Sequence, residues 1–269
     1  MNRKFIYPII LFIAIALIYW AEQSINTSDK EKNVQSNRQS GLVADISLLP
    51  TSTTGQIVYH NYYTLSYSEP DEQAEWVAYA LTKAQLTGKS YERPYFEIDP
   101  DVSTGAADWR NYRGSGYDRG HLCPAGDRKF DKQAYLETFL TSNISPQRHP
   151  FNSGIWNRLE QKVRYWADKY DGVYIVTGGI LKDKSLSIGE EEVTVPSHFY
   201  KILLDQRGEE YTMIAFLFPH EKSDKGLQEF VVSVDEVEEL TGIDFFPKLE
   251  DSIENKLEAS SDYKNWSFR

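Results

Sequence analysis

Apolar residues follow different spacings along the chain, and each spacing predicts a different element. From Gln56 to Ser68 (QIVYHNYYTLSYS) aromatic and β-branched residues dominate, which predicts strand. From Glu72 to Leu86 (EQAEWVAYALTKAQL) Trp76, Ala80 and Leu81 fall at helical spacing, so a helix is expected. YERPYFEI (91–98) reads as strand-like and leads into two loops rich in Gly and Asp, while KQAYLETFL (132–140) predicts a short helix. The strongest helical signal is NSGIWNRLEQKVRYWADKY (152–170). It sets Ile155, Leu159, Val163 and Trp166 on one stripe, with Gly172 just beyond its end. Three β-rich runs follow: GVYIVTGGIL, SHFYKILLD and YTMIAFLFP. Helices and strands in mixed order, without regular βα alternation, predict an α+β fold on a largely antiparallel sheet.

Before Leu42 the pattern changes twice. Arg3 and Lys4 precede an uncharged apolar run from Phe5 to Ala21, the arrangement of an export signal. A cleaved signal and an uncleaved membrane anchor both fit residues 1–21, and both place the rest of the chain outside the cytoplasm. Glu22 to Gly41 is polar, lacks periodicity and reads as a flexible linker, so one folded domain is expected over 42–269. Composition suits this: 41% hydrophobic and 14% aromatic residues give no sign of wholesale disorder. Cys123 is the only cysteine, which excludes an intrachain disulfide and a Cys-rich zinc site. A formal charge of -11 does not favour an anionic partner, but net charge and local charge are separate matters. Between Arg110 and Arg164 ten Lys and Arg face five Asp and Glu, a local excess of five positive charges.

That basic segment holds the candidate chemistry. YDRGHLCPAGDRKF (117–130) places Asp118, Arg119 and His121 within four residues around Gly120, which would let the backbone turn sharply. A neutral imidazole at His121 can take a proton from water near neutral pH. Arg119 offers a forked cation that fits phosphate oxygens. Downstream, Asn143, Gln147 and Asn152 are neutral amides in a Pro-bearing loop that leads into the strong helix, where Asn152 also suits the N-cap. Glu160 lies eight residues further on. In a regular helix the two side chains return to within about 80° of one face but stand about 12 Å apart, so they cannot both coordinate one ion directly. One would ligate, and the other would hold water or a neighbour. An amide-and-water site with few carboxylates suits hydrated Mg²⁺. His60, His149, His198 and His220 have no paired spacing, which leaves a zinc protease unsupported, and G-S-G at 114–116 is no serine elbow.

Taken together, Y-D-R-G-H, S-N-I-S-P-Q and F-N-S-G-I-W-N-R-L-E resemble the DNA/RNA non-specific endonucleases. Y-T-L-S-Y-S…E-W-V-A-Y (63–79) and V-T-G-G-I-L…V-P-S-H-F-Y-K (176–201) are similar too, so the likeness spans roughly residues 56–242. The resemblance implies a ββα-metal nuclease fold, with the catalytic histidine on a β-hairpin, the metal ligand on the following helix and a central antiparallel sheet flanked by helices. It implies that His121 is the general base, Asn152 the direct protein ligand of one Mg²⁺ (with Mn²⁺ able to substitute), and Glu160 the carboxylate holding the metal's water shell. Arg119 and Arg93 match phosphate-binding arginines, and Asn143 an amide supporting the histidine. Asp118 reads as a brace for the loop.

The expectation is therefore an exported, Mg²⁺-dependent endonuclease that hydrolyses DNA and RNA with little sequence preference and leaves 5′-phosphate ends. Contacts confined to phosphate carry no sequence information. Two alternatives stand beside it: a surface module that binds nucleic acid without cutting, and a nuclease toxin restrained by a partner.

Overall fold

The computed structural model describes residues 48–268 except 87 and 209, so the predicted signal or anchor (1–21) and linker (22–41) lie outside the described residues. A seven-stranded antiparallel sheet forms the body, in the order β1 (Ile57–Tyr59), β2 (Thr64–Ser68), β3 (Gln73–Thr82), β6 (Gly172–Gly179), β9 (His198–Arg207), β10 (Glu210–Pro219), β11 (Val231–Val232). The short pairs β4 (Tyr117–His121) with β5 (Ile144–Arg148), and β7 (Ser187–Ile188) with β8 (Val193–Thr194), stand apart from it. Helix α1 (Lys132–Glu137) follows β4, α2 (Asn157–Tyr170) precedes β6, and α3 (Val234–Thr241) and α4 (Asp251–Glu258) close the described chain. The α+β class and the antiparallel sheet are as expected.

Each face of the sheet carries its own core, and this corrects the reading of residues 72–86. The segment is strand β3, followed by a single turn at Lys83–Gln85, rather than a helix. Val77, Tyr79 and Leu81 enter the layer beneath α2, where Leu159, Val163 and Trp166 of that helix pack together with Ile155 just before it. Trp76 and Ala78 enter the opposite layer with Ile202, Leu204, Val234 and Phe245. A strand buried on both faces loses the two-residue alternation that betrays a strand, and its apolar positions then mimic a helical stripe. Glu75 is tolerated in this buried strand because Thr53 and Ser66 donate hydrogen bonds to its carboxylate.

Two further expectations change. YERPYFEI forms no strand; its one bridge is Glu97 with Leu140, and its Arg93 lines the cavity described below. The predicted helix 152–170 begins earlier and is not uniform. A turn at His149–Phe151 runs into a wider π-helical stretch, Asn152–Trp156, kinked at Gly154, before α2 proper. Asn152 has helical backbone angles inside this run and is no N-cap. At the far end the left-handed cap is Asp171 (φ 67°), and Gly172 already belongs to β6.

Candidate active site

The β4–β5 ribbon and the helical run after it bring the predicted residues together. In β4, Arg119 and His121 share one face, as alternation requires. Gly120 does not turn the chain: it pairs with Ser145 in regular register, and the buried Gln147 side chain lies across it. A Cβ at this position would stand 2.1 Å from Gln147 Oε1, so the glycine is there for close approach. Arg93, Arg119, His121, Asn152 and Glu160 all line one open cavity of about 350 Å³, joined by Lys129 and Tyr135. Asn143 and Gln147 do not reach it.

The floor of the pocket is aromatic. The His121 ring stands edge-on to Phe139, with centroids 5.0 Å apart, and 5.5 Å from Phe96. The same two rings support the arginines, with Arg119 Cζ 5.5 Å from the Phe96 centroid and Arg93 Cζ 5.6 Å from that of Phe139. Burial, aided by the Arg93 charge, lowers the His121 pKa to about 3, so its imidazole is neutral at any physiological pH. Its Nε2 is buried with no partner in the protein. The neutral ring lines the open cavity and can accept a proton there. Behind it Asn143 fixes the main chain: its Oδ1 accepts from Cys123 N (2.8 Å), and its Nδ2 donates to Cys123 O and Thr138 O. Asn143 thus acts through the backbone two residues past His121, without touching the ring.

Asn152 is oriented by Asp118. Its Nδ2 donates to Asp118 Oδ2 at 2.9 Å, and the same carboxylate holds His149 Nδ1 at 2.9 Å. Because the amide nitrogen is committed, the amide oxygen is the atom left for a cation. Glu160, two turns on, contributes a carboxylate to the same cavity. An amide oxygen and one carboxylate, with room for water, fit a hard divalent ion that keeps part of its hydration shell. A separate His–carboxylate cluster, His60 with Asp99 (2.8 Å) and Asp101 (3.5 Å), lies outside this cavity, and each nitrogen of its ring already faces a carboxylate.

Behind Glu160 lies a group that the sequence reading did not single out. Lys201 is fully buried on β9, with its Nζ 4.7 Å from the Trp156 ring centroid and no hydrogen-bond partner. Burial raises the Glu160 pKa and lowers that of Lys201, and each charge opposes the shift of the other. Asp127, held by Arg164 Nη1 (2.7 Å) and Tyr79 OH (3.1 Å), adds negative charge to the group. The available signal was a lysine inside the apolar run HFYKILLD. Lys201→Met should leave Glu160 protonated to higher pH, because its compensating cation is gone. If ionised Glu160 is needed to hold the metal's water, the acid limb of the pH–rate profile should move up by about one pH unit or more. An unmoved limb in a folded variant would exclude Lys201 as the group that keeps Glu160 charged.

The basic excess counted along the sequence overstates the surface. Arg128 is fully buried, donating to Ala80 O and lying 4.6 Å from the Tyr79 ring centroid, and Arg164 serves Asp127. Cys123 is buried as well, and burial pushes its thiol pKa up to about 12, which removes it as a nucleophile.

Comparison with known proteins bears on family and fold. The profile of the DNA/RNA non-specific endonuclease family matches residues 45–252. Zebrafish (Danio rerio) mitochondrial nuclease EXOG is 35% identical over 254 residues, covering 88% of this chain and 71% of its own length. Nuclease C1 of Cunninghamella echinulata var. echinulata is 37% identical, covering 74% and 86% respectively. The chain spans only 60% of the mouse (Mus musculus) EXOG it also matches. Among solved structures, the crystal structure of an EndoG/EndoGI complex superposes with a TM-score of 0.68 at 28% identity, covering 76% of this chain and 92% of that one. The chain belongs to the DNA/RNA non-specific endonuclease family, a family of metal-dependent nucleases.

Proposed function

We propose that this protein is an exported, Mg²⁺-dependent phosphodiesterase that cuts DNA and RNA with little sequence preference and leaves 5′-phosphate and 3′-hydroxyl ends. The observation that carries the reading is the convergence of His121, Arg93, Arg119, Asn152 and Glu160 on one cavity. His121 takes a proton from the attacking water, and Arg119 and Arg93 neutralise the phosphate on which charge develops. Asn152 would hold the cation through its amide oxygen, and Glu160 would accept hydrogen bonds from its water shell. When bound, the cation supplies electrostatic stabilisation of the phosphate and of the departing 3′ oxygen. None of these groups reads a base, which accounts for the lack of sequence preference. Export is supported by the Arg3–Lys4 pair ahead of the uncharged run Phe5–Ala21.

The test is incubation of the protein with plasmid and with a long RNA, in Mg²⁺ and in EDTA. Both polymers should be degraded in Mg²⁺ and spared in EDTA. Binding without cutting in Mg²⁺ would instead establish a nucleic-acid-capturing module, and EDTA-resistant cutting would remove the metal from the account.

A further inference from the structure

We propose that Trp109 organises a phosphate-tracking surface that carries the nucleic-acid strand out of the catalytic cavity, with Arg119 as its inner contact and Arg113 as its outer one. This rests on the nuclease reading above and extends it beyond the scissile phosphate. Three guanidinium groups surround the Trp109 indole: Arg119 Cζ lies 5.2 Å from its centroid, Arg110 5.3 Å and Arg113 5.4 Å. Arg119 lines the catalytic cavity, whereas Arg110 and Arg113 line the adjoining cleft of about 840 Å³. Trp109 thus contacts arginines that belong to both spaces, and it packs against the cluster that holds Phe96 and Phe139.

The three arginines are not equivalent. Arg110 is paired with Asp108. Arg113 and Arg119 have no carboxylate partner among the described residues, so each retains a full charge for an anion. An arginine oriented by an aromatic face keeps its hydrogen-bonding fork free, which one oriented by a carboxylate does not. The turn that carries Trp109 is rigidly tied. Asp108 accepts from Arg110 N (2.7 Å), Glu191 accepts from Asp108 N (2.7 Å) and from the Asn111 amide, and a side chain at Gly189 would collide with Asn111. The surface is thus set before a ligand arrives. Its chemistry, two unpaired guanidiniums on one indole, fits successive phosphodiester groups of one strand.

The test is binding of fluorescein-labelled duplex DNA by the full chain in EDTA, followed by anisotropy across a NaCl series. Wild-type protein should show a modest salt slope, consistent with roughly three to five neutralised phosphates at about -0.9 each. Trp109→Leu should weaken binding roughly five- to tenfold and flatten the slope by about one, and Trp109→Phe should recover most of both. Arg113→Gln, at an exposed position, should flatten the slope in the same way and serves if Trp109→Leu fails to fold. Wild-type affinity and slope in folded Trp109→Leu and in Arg113→Gln would overturn the proposal. So would weaker binding at an unchanged slope, because the indole would then be stacking on a base without organising cations. Failure of the nuclease reading looks different: wild-type protein would leave plasmid and RNA uncut in Mg²⁺, whatever its binding.

Discussion

Replacing His121 with alanine is expected to lower the cleavage rate by roughly 10²–10⁴-fold, the range of a positioned general base, while DNA binding persists. The phosphate contacts of Arg93 and Arg119 do not depend on the imidazole, since Arg93 rests on Phe96 and Phe139 and Arg119 on Phe96. Added imidazole should restore part of the rate by entering the space left against those rings. Folding should survive, because the half-buried ring lines an open cavity and its Nε2 has no partner to lose. The variant should also differ from wild type in acid. The His121 pKa is depressed in the folded protein and near 6.5 when unfolded, so the unfolded chain binds more protons between those values. That contribution to stability is complete above about pH 6.5 and is lost as pH falls toward about 3. His121→Ala lacks it and should unfold less steeply with acid, whereas His220, lowered to about 4, acts in both proteins. Rates measured at fixed Mg²⁺, with circular dichroism across pH, check both parts. Near wild-type cleavage by folded His121→Ala would remove this residue from the mechanism.

The second large effect concerns the metal. Asn152→Ala should raise the Mg²⁺ concentration needed for half-maximal rate by at least about 10–100-fold, the range found for groups that merely support a metal ligand. Asn157→Ala, at the start of α2 and outside the cavity lining, should change it little. Asp118→Ala retains Asn152 but loses the carboxylate that fixes its amide, and should fall between the two. Because Asn152 is not a helix cap, its replacement should cost under about 1 kcal/mol of stability. A Mg²⁺ titration of the rate with matched thermal melts separates these outcomes. Unchanged Mg²⁺ dependence in folded Asn152→Ala would place the ligand elsewhere.

Much of this site could be read from residue types alone, because its chemistry is concentrated in two short segments. His121 and Arg119 stand two apart on a strand, which puts them on one face whatever the rest of the fold does. The distance between Asn152 and Glu160 was less transparent. The spacing assumes a regular helix, and the π-helical stretch with its kink at Gly154 changes the rotation between them. The close approach of Gln147 to Gly120, from the neighbouring strand, leaves no local mark in the sequence. Strand β3 carries no strand signature because burial on both faces erases alternation. The basic count failed for a similar reason, since a sequence cannot show that Arg128 points into the core while Arg113 does not. Lys201 belongs to the same class: its meaning depends on Glu160 and Trp156, which reach it from another element.

The central claim is that water, deprotonated at His121, attacks phosphorus and expels the 3′ oxygen. It is tested most directly by cutting DNA in Mg²⁺ and ¹⁸O-enriched water and analysing the ends by mass spectrometry. The account predicts one ¹⁸O in the new 5′-phosphate and none in the 3′-hydroxyl. Label in a 3′-phosphate, or ends that carry no label from solvent, would contradict it.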